Sequence, residues 1–314
     1  MHAPITAHKG ATVNERSNKR LIVFDCDNFL TKGWEEGEKF IERYPSELAA
    51  ATGIPEQVVQ EQLKHAADQV RANSNAYGMR DLSGRTVAPT FMDAYVYMRV
   101  LAGLTLDACE RRYGSERERE EMLHAVHKKC YDPKPIFREG AKELVQKWRA
   151  HPDVGLHIVT GSDTKPVEGK MQILLGHEVE PGFVVGNAGK HLLTMRSDTW
   201  SAEEQAAFEP MWEQTRVSFP FPGAGYDAYP QRGFYYRVLM DLQSRYNTDR
   251  RAYVAGDSLH CDGLLPMELE MTYIHLATEF TPEWEKDFVR ESGCGLVAPN
   301  LAGVDWFLDA LVEM

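Results

Sequence analysis

The clearest feature of the chain is a set of short, almost unbroken apolar runs that each stop abruptly at small or polar residues. Leu21-Ile22-Val23-Phe24 stops at Asp25-Cys26-Asp27, and Leu156-His157-Ile158-Val159 stops at Thr160-Gly161-Ser162-Asp163. Phe183-Val184-Val185 gives way to Gly186-Asn187-Ala188-Gly189, and Ala252-Tyr253-Val254-Ala255 to Gly256-Asp257-Ser258. Runs of this length without alternation predict strands buried on both faces, as in a parallel sheet. A fifth strand is predicted over 271–276. Helical spacing lies between the runs, over 137–150, 164–175 and 234–246. The alternation predicts an α/β fold: a Rossmann-like, doubly wound, mainly parallel sheet with helices on both faces. Ligands of such sheets sit at the carboxyl ends of the strands, where these polar residues fall.

Residues 34–133 read differently. Segments 55–73, 89–102, 106–113 and 115–130 have helical patterns, and no strand pattern appears among them. The expectation is an all-helical domain over 34–133, inserted into an α/β core made of 21–33 and 134–314. Asp132-Pro133-Lys134-Pro135 suits the return linker, because proline breaks helices and stiffens connections. Residues 191–231 form a second irregular region, with Pro210, Pro220, Pro222 and Pro230 among many aromatics. The aromatic stripe from Phe208 to Tyr236 fits core packing, with a second lid wall or a homodimer contact as other readings. Residues 1–20 are polar and are expected to form a flexible tail without a secretory signal.

Composition narrows the partners. The 314 residues carry a formal net charge of −12, which disfavours nucleic acid or an anionic membrane as partner. A small anionic substrate stays compatible if N–H groups, lysine or a metal receive it locally. The five cysteines are odd in number and form no C-x-x-C pair. A cytoplasmic protein without disulfides or structural zinc is therefore expected.

Asp25 and Asp27 are the first chemical candidates. Two carboxylates one residue apart can face one pocket where a strand has just ended in a turn. One can then attack while the other handles protons, and their oxygens suit Mg²⁺. A solvated loop start has the same D-x-D pattern. Asp257 and Asp262 follow another buried run, where Gly256 permits close backbone approach. Asp257 would add a metal oxygen, or cap a helix; Asp262 would support that ligand or replace it. The Thr160 hydroxyl, with Gly161 beside it, can donate to a phosphoryl oxygen.

Together, Leu21-Ile22-Val23-Phe24-Asp25-Cys26-Asp27, Ile158-Val159-Thr160 and Gly256-Asp257-Ser258-Leu259-His260-Cys261-Asp262 resemble the haloacid dehalogenase superfamily of phosphohydrolases. The resemblance extends from Leu21 to about Leu276. It implies that Asp25 is the nucleophile and that Asp27 is the general acid, then the base. It implies a Mg²⁺ held by the Asp25 carboxylate, the Asp27 carbonyl and Asp257. A second aspartate at position 27 favours phosphoryl transfer over dehalogenation. Asn28 and Phe29 stand where the family usually has glycine, then threonine or valine. Asn28 tolerates a left-handed turn, and Phe29 is expected to reshape the pocket floor.

The family also needs a lysine to neutralise nucleophile and phosphate. Lys190 is the first choice and Arg232 the rival; Lys165 and Lys170 read as solvated helix residues. Cys26 and Cys261 read as buried fillers, and His260 as a residue near enough to touch substrate. The insert occupies the position of a cap domain, which suits a small phosphorylated metabolite. Tyr77, Arg80 and Arg85 lie in a polar loop between helices. Arg80 and Arg85 are expected to read the leaving group. The implied activity is phosphomonoester hydrolysis. A phosphoryl transferase or mutase with the same intermediate is the alternative, as is an inactive binding protein on this fold.

Overall fold

The computed structural model describes residues 19–81, 83–110, 114–131, 134–196, 200–246 and 252–313. Residues 1–18 of the expected tail, and Asp132-Pro133 of the linker, lie outside them. Arg20, the last residue assigned to the tail, instead opens the first strand.

The strands are β1 (Arg20–Phe24), β2 (Gly78–Arg80), β3 (Thr86–Pro89), β4 (Val154–Val159), β5 (Val184–Val185), β6 (Phe219–Phe221), β7 (Tyr226–Ala228), β8 (Tyr253–Gly256), β9 (Thr272–Leu276) and β10 (Gly295–Ala298). Six of them form one sheet in the order β10-β9-β8-β1-β4-β5, and every pairing in it is parallel. The chain winds outward from β1 on one side, then returns to β1 and winds outward on the other. This is the doubly wound order, and the direction reverses between β1 and β8. Successive β1 side chains feed opposite layers. Ile22 and Phe24 pack with Trp148, Leu156 and Ile158; Leu21 and Val23 pack with Val159, Leu239 and Val254. Both faces are thus covered, which is why these strands read as continuous apolar runs.

Register sets the site. Phe24 lies opposite Ile158 on β4 and Ala255 on β8, so Asp25, Thr160 and Asp257 leave three adjacent strands at one edge. The Asp25 N–H still donates to the Ala255 carbonyl at 2.9 Å.

Between β1 and β4, helices Glu38–Thr52, Glu56–Ala72, Ala94–Ala108 and Glu116–Cys130 gather a core of their own. It includes Phe40, Tyr44, Leu63, Leu101 and Leu123. The stretch is not all-helical, however: β2 and β3 pair antiparallel. Their turn is held by Asp81, whose Oδ1 accepts the Ser83 and Arg85 N–H groups at 3.0 Å each. Strands of three and four residues are too short to show a periodicity; burial of β3 stabilises them. The next helix therefore starts at Ala94 rather than 89, with the Asp93 carboxylate accepting the Val96 N–H at 2.6 Å. That helix runs through the expected break to Ala108.

Region 191–231 is also more regular than its prolines suggest. It holds helix Ala202–Gln214, opened by a Ser201/Glu204 capping box, and the β6–β7 hairpin. Its aromatics join the core layer beside Leu239. No helix among the described residues is long and apolar enough to cross a membrane.

Candidate active site

Asp25 is buried at the end of β1. Lys190, 165 residues later, points its ammonium at the carboxylate: Nζ donates to Asp25 Oδ1 at 2.7 Å and to Asp262 Oδ1 at 2.7 Å. Asp25, Asp257 and Asp262 each bring a carboxylate oxygen within 4.8 Å of the others. Asp262 is held on both sides, because its Oδ2 accepts the Ser258 N–H at 3.1 Å. Gly256 makes this approach feasible, since a β-carbon there would stand 2.6 Å from the Asp262 Cβ.

Three carboxylates around one lysine leave negative charge in a buried place. Burial pushes the Asp25 carboxyl up to about 8, with Asp262 and Asp27 adding to the rise and Lys190 opposing it. Burial also raises Asp257, and Asp262 and Asp25 raise it further, with Arg138 opposing. Lys190 is raised in turn: burial would lower it, but Asp25 and Asp262 outweigh that and keep it charged. The carboxylate oxygens are hard donors that match Mg²⁺. Asp257 makes no side-chain hydrogen bond among the described residues, so a metal-ligating carboxylate is available beside Asp25. The donor set fits the cation that the resemblance implies.

The Asp27 side chain lies outside this cluster. Its Oδ1 accepts Lys170 Nζ at 2.7 Å, and its Oδ2 accepts Ser162 Oγ at 2.6 Å and Thr160 Oγ1 at 3.4 Å. Burial would raise Asp27, but Lys170 and the two hydroxyls hold it below the ordinary carboxylate range. Lys170 also donates to Glu36 Oε2 at 3.1 Å. The solvated placement of Lys170 is thus corrected. On helix Thr164–Leu175 it falls in the buried stripe with Val167, Met171 and Leu174, and that spacing was the signal available in the sequence. Nothing local marked Glu36 or Ser162 as its companions.

The structure brings Lys190, and not Arg232, to Asp25. Arg232 is fully buried, yet its guanidinium donates to the Lys190 and Val87 carbonyls, the latter at 2.9 Å. Asn28 does adopt the left-handed conformation, with φ of 65°. Its amide Nδ2 donates to the Met92 carbonyl at 2.6 Å. Phe29 turns away from the pocket and packs in the core against Phe24, at 5.4 Å between ring centroids. Cys26 is a core filler, whereas Cys261, also buried, lines the cavity. His260 lies among Phe221, Tyr226 and Trp284 rather than at the pocket.

A cavity of about 430 Å³ opens over Asp25, Asp27, Lys190 and Asp257, with Thr160 and Gly161 also at its wall. Arg80 and Arg85 do not line it. Arg80 bonds the Gly84 carbonyl at 2.9 Å, and Arg85 pairs with Asp81 at 2.6 Å, both within the hairpin turn. Within the turn the Gly84 carbonyl thus occupies Arg80 and the Asp81 carboxylate occupies Arg85. The inserted helices send Tyr95, Arg99, His124 and His127 to the cavity instead.

The strand order brings the three segments that carry the resemblance to one sheet edge. Among solved structures, a haloacid dehalogenase-like family hydrolase from Xanthomonas campestris aligns at TM-score 0.42 and 14% identity, covering 96% of this chain and 94% of that one. A 2-haloacid dehalogenase from Pseudomonas syringae pv. Tomato DC3000 aligns at TM-score 0.42 and 10% identity, covering 93% and 99%. No family model and no curated protein matches the chain.

Proposed function

We propose that this chain is a Mg²⁺-dependent phosphatase that hydrolyses the phosphomonoester of a small metabolite through a phospho-aspartyl intermediate on Asp25. The observation that carries the reading is the Lys190 ammonium shared by Asp25 and Asp262 beside Asp257. An Asp25 carboxylate oxygen attacks phosphorus, and the bond from phosphorus to the leaving oxygen breaks. Asp27, having taken a proton, delivers it to that oxygen. Asp27 then removes a proton from water, whose oxygen attacks the phosphorus of the acyl phosphate. Inorganic phosphate leaves and the Asp25 carboxylate is restored. The ionised, hydrogen-bonded Asp27 described above suits the base step; the acid step needs its contact with Lys170 to loosen.

Asp25 and Asp257, with the Asp27 carbonyl, would hold the cation, and Asp262 would support them. When bound, Mg²⁺ supplies positive charge that offsets repulsion between anionic nucleophile and anionic phosphate. Lys190, which donates to Asp25 Oδ1 at 2.7 Å, adds charge of the same sign. Thr160 and Gly161 would receive phosphoryl oxygens, and the inserted helices would act as a cap that excludes water.

The test is turnover of p-nitrophenyl phosphate. Activity should vanish in chelator and return with Mg²⁺. Mg²⁺ should also raise the melting temperature, because it binds the folded carboxylate cluster; saturation at 100 times Kd is worth about 2.7 kcal/mol. Asp257→Asn should remove most of that thermal shift. Full activity after exhaustive chelation would contradict the reading. A second expectation concerns Gly256→Ala. The added methyl should displace Asp262, and with it Lys190, lowering kcat by about 10²-fold. Unchanged kcat would show that Asp262 does not need its observed position.

A further inference from the structure

We infer that the substrate carries a second anionic group, a carboxylate or a further phosphate, on its leaving alcohol, and that Arg99 receives it. The inference rests on the phosphatase reading and deepens it.

The cavity lies between two walls of different chemistry. Lys190 and the carboxylate cluster occupy the core wall, and the inserted helices form the facing one. On helix Ala94–Ala108, Tyr95 and Arg99 are four residues apart. On helix Glu116–Cys130, His124 and His127 are three apart. Each pair therefore shares one helix face, and both faces meet at the cavity. Glu120 bonds only one terminal nitrogen of Arg99 and does not line the cavity. The guanidinium thus keeps donors for a planar, bidentate anion. Burial, with Arg99 and His124 nearby, lowers His127 to about 4, so its ring is neutral at physiological pH. Its remaining N–H can donate to an anion held by Arg99.

The remainder of this wall argues against a polyhydroxylated leaving group. Asp93 is the acidic side chain that the insert brings to the cavity, and its carboxylate is committed to capping its own helix. Met79, Met92 and Val96 offer no hydrogen bonds to sugar hydroxyls but suit a short carbon skeleton.

The experiment compares kcat/KM for substrates that differ only in the distal group. 3-Phosphoglycerate against glycerol 3-phosphate tests a carboxylate. Propane-1,3-diol bisphosphate against propane-1,3-diol monophosphate tests a second phosphate. At least one anionic member should be preferred by about tenfold or more, the scale of a charged hydrogen-bonded pair. Arg99→Gln should bring that ratio close to one, Arg99→Lys should keep part of it, and Arg99→Glu should invert it. Ratios near one in both arms of the wild-type protein overturn the inference while p-nitrophenyl phosphate turnover sustains the phosphatase reading. A preference unchanged in Arg99→Gln overturns the assignment to Arg99. Absence of turnover on every phosphomonoester with Mg²⁺ present defeats the phosphatase reading, and the inference with it.

Discussion

Asp25→Asn should lower phosphatase turnover by about 10³-fold or more and leave the fold intact. An amide matches the carboxylate in shape but cannot attack phosphorus, and no other described side chain combines a strand-end position with this contact to Lys190. The stability of the variant gives an independent check, and its sign follows from burial. The folded-state value of Asp25 is raised from 3.8 to about 8, so the folded state favours the protonated form. Ionisation therefore costs stability, and the cost grows as pH rises from about 4 to about 8. Without metal, Asp25→Asn should melt close to wild type at pH 4 and above it at pH 8. With Mg²⁺ that order should narrow or reverse, because the variant loses a ligand. Substantial turnover in the variant would remove Asp25 from the mechanism.

Lys190→Met should reduce turnover by about 10²- to 10³-fold, the scale for removing a preorganised charge from a transition state. It should also destabilise the metal-free protein, by about 3–5 kcal/mol at pH 8 and by less at lower pH, where Asp25 takes up a proton instead of staying a buried carboxylate without its cation. Both partners are nearly fully buried, at 4% exposure for Lys190 and 9% for Asp25, so solvent screens the pair little. Arg232→Met should cost less activity, since Arg232 reaches Asp25 only indirectly, through the Lys190 main chain. If Arg232→Met proved the more damaging to kcat, the charge-compensating role would have to be reassigned. A large stability loss without a kcat effect in Lys190→Met would make Lys190 a purely structural residue.

The inserted helices are tied to the core in a way that bears on closure. Besides its two connections, the insert is fastened where Arg232 reaches the Val87 carbonyl and where Asn28 reaches the Met92 carbonyl. Glu36 lies at the outgoing connection, and its Oε1 accepts the Ile136 N–H of the return at 2.9 Å. Its other oxygen holds Lys170, which holds Asp27. Both connections of the insert are therefore linked by hydrogen bonds to the proposed acid–base residue.

The sequence alone determined the parallel core and the edge at which the carboxylates gather. A strand buried on both faces must be apolar at consecutive positions, so its polar successor marks the end of burial, and in a doubly wound sheet that end is the ligand edge. Asp25, Thr160 and Asp257 are legible on this principle, Lys190 only as one of two rival cations, and Asn28 as a left-handed turn because its short side chain tolerates that conformation. Only the tertiary structure decided which cation faces Asp25. Lys190 and Asp25 are 165 residues apart, and local pattern carries no information about a contact at that range. The same holds for Lys170 and Glu36, paired across 134 residues. The β2–β3 hairpin was illegible because short strands owe their stability to what they pack on. Arg99, His124 and His127 have helical spacing that shows they share faces, but the direction of a face is set by how helices dock. Arg85 shows the converse: it stands in a loop that suits a recognition role, yet Asp81, four residues earlier, satisfies it locally.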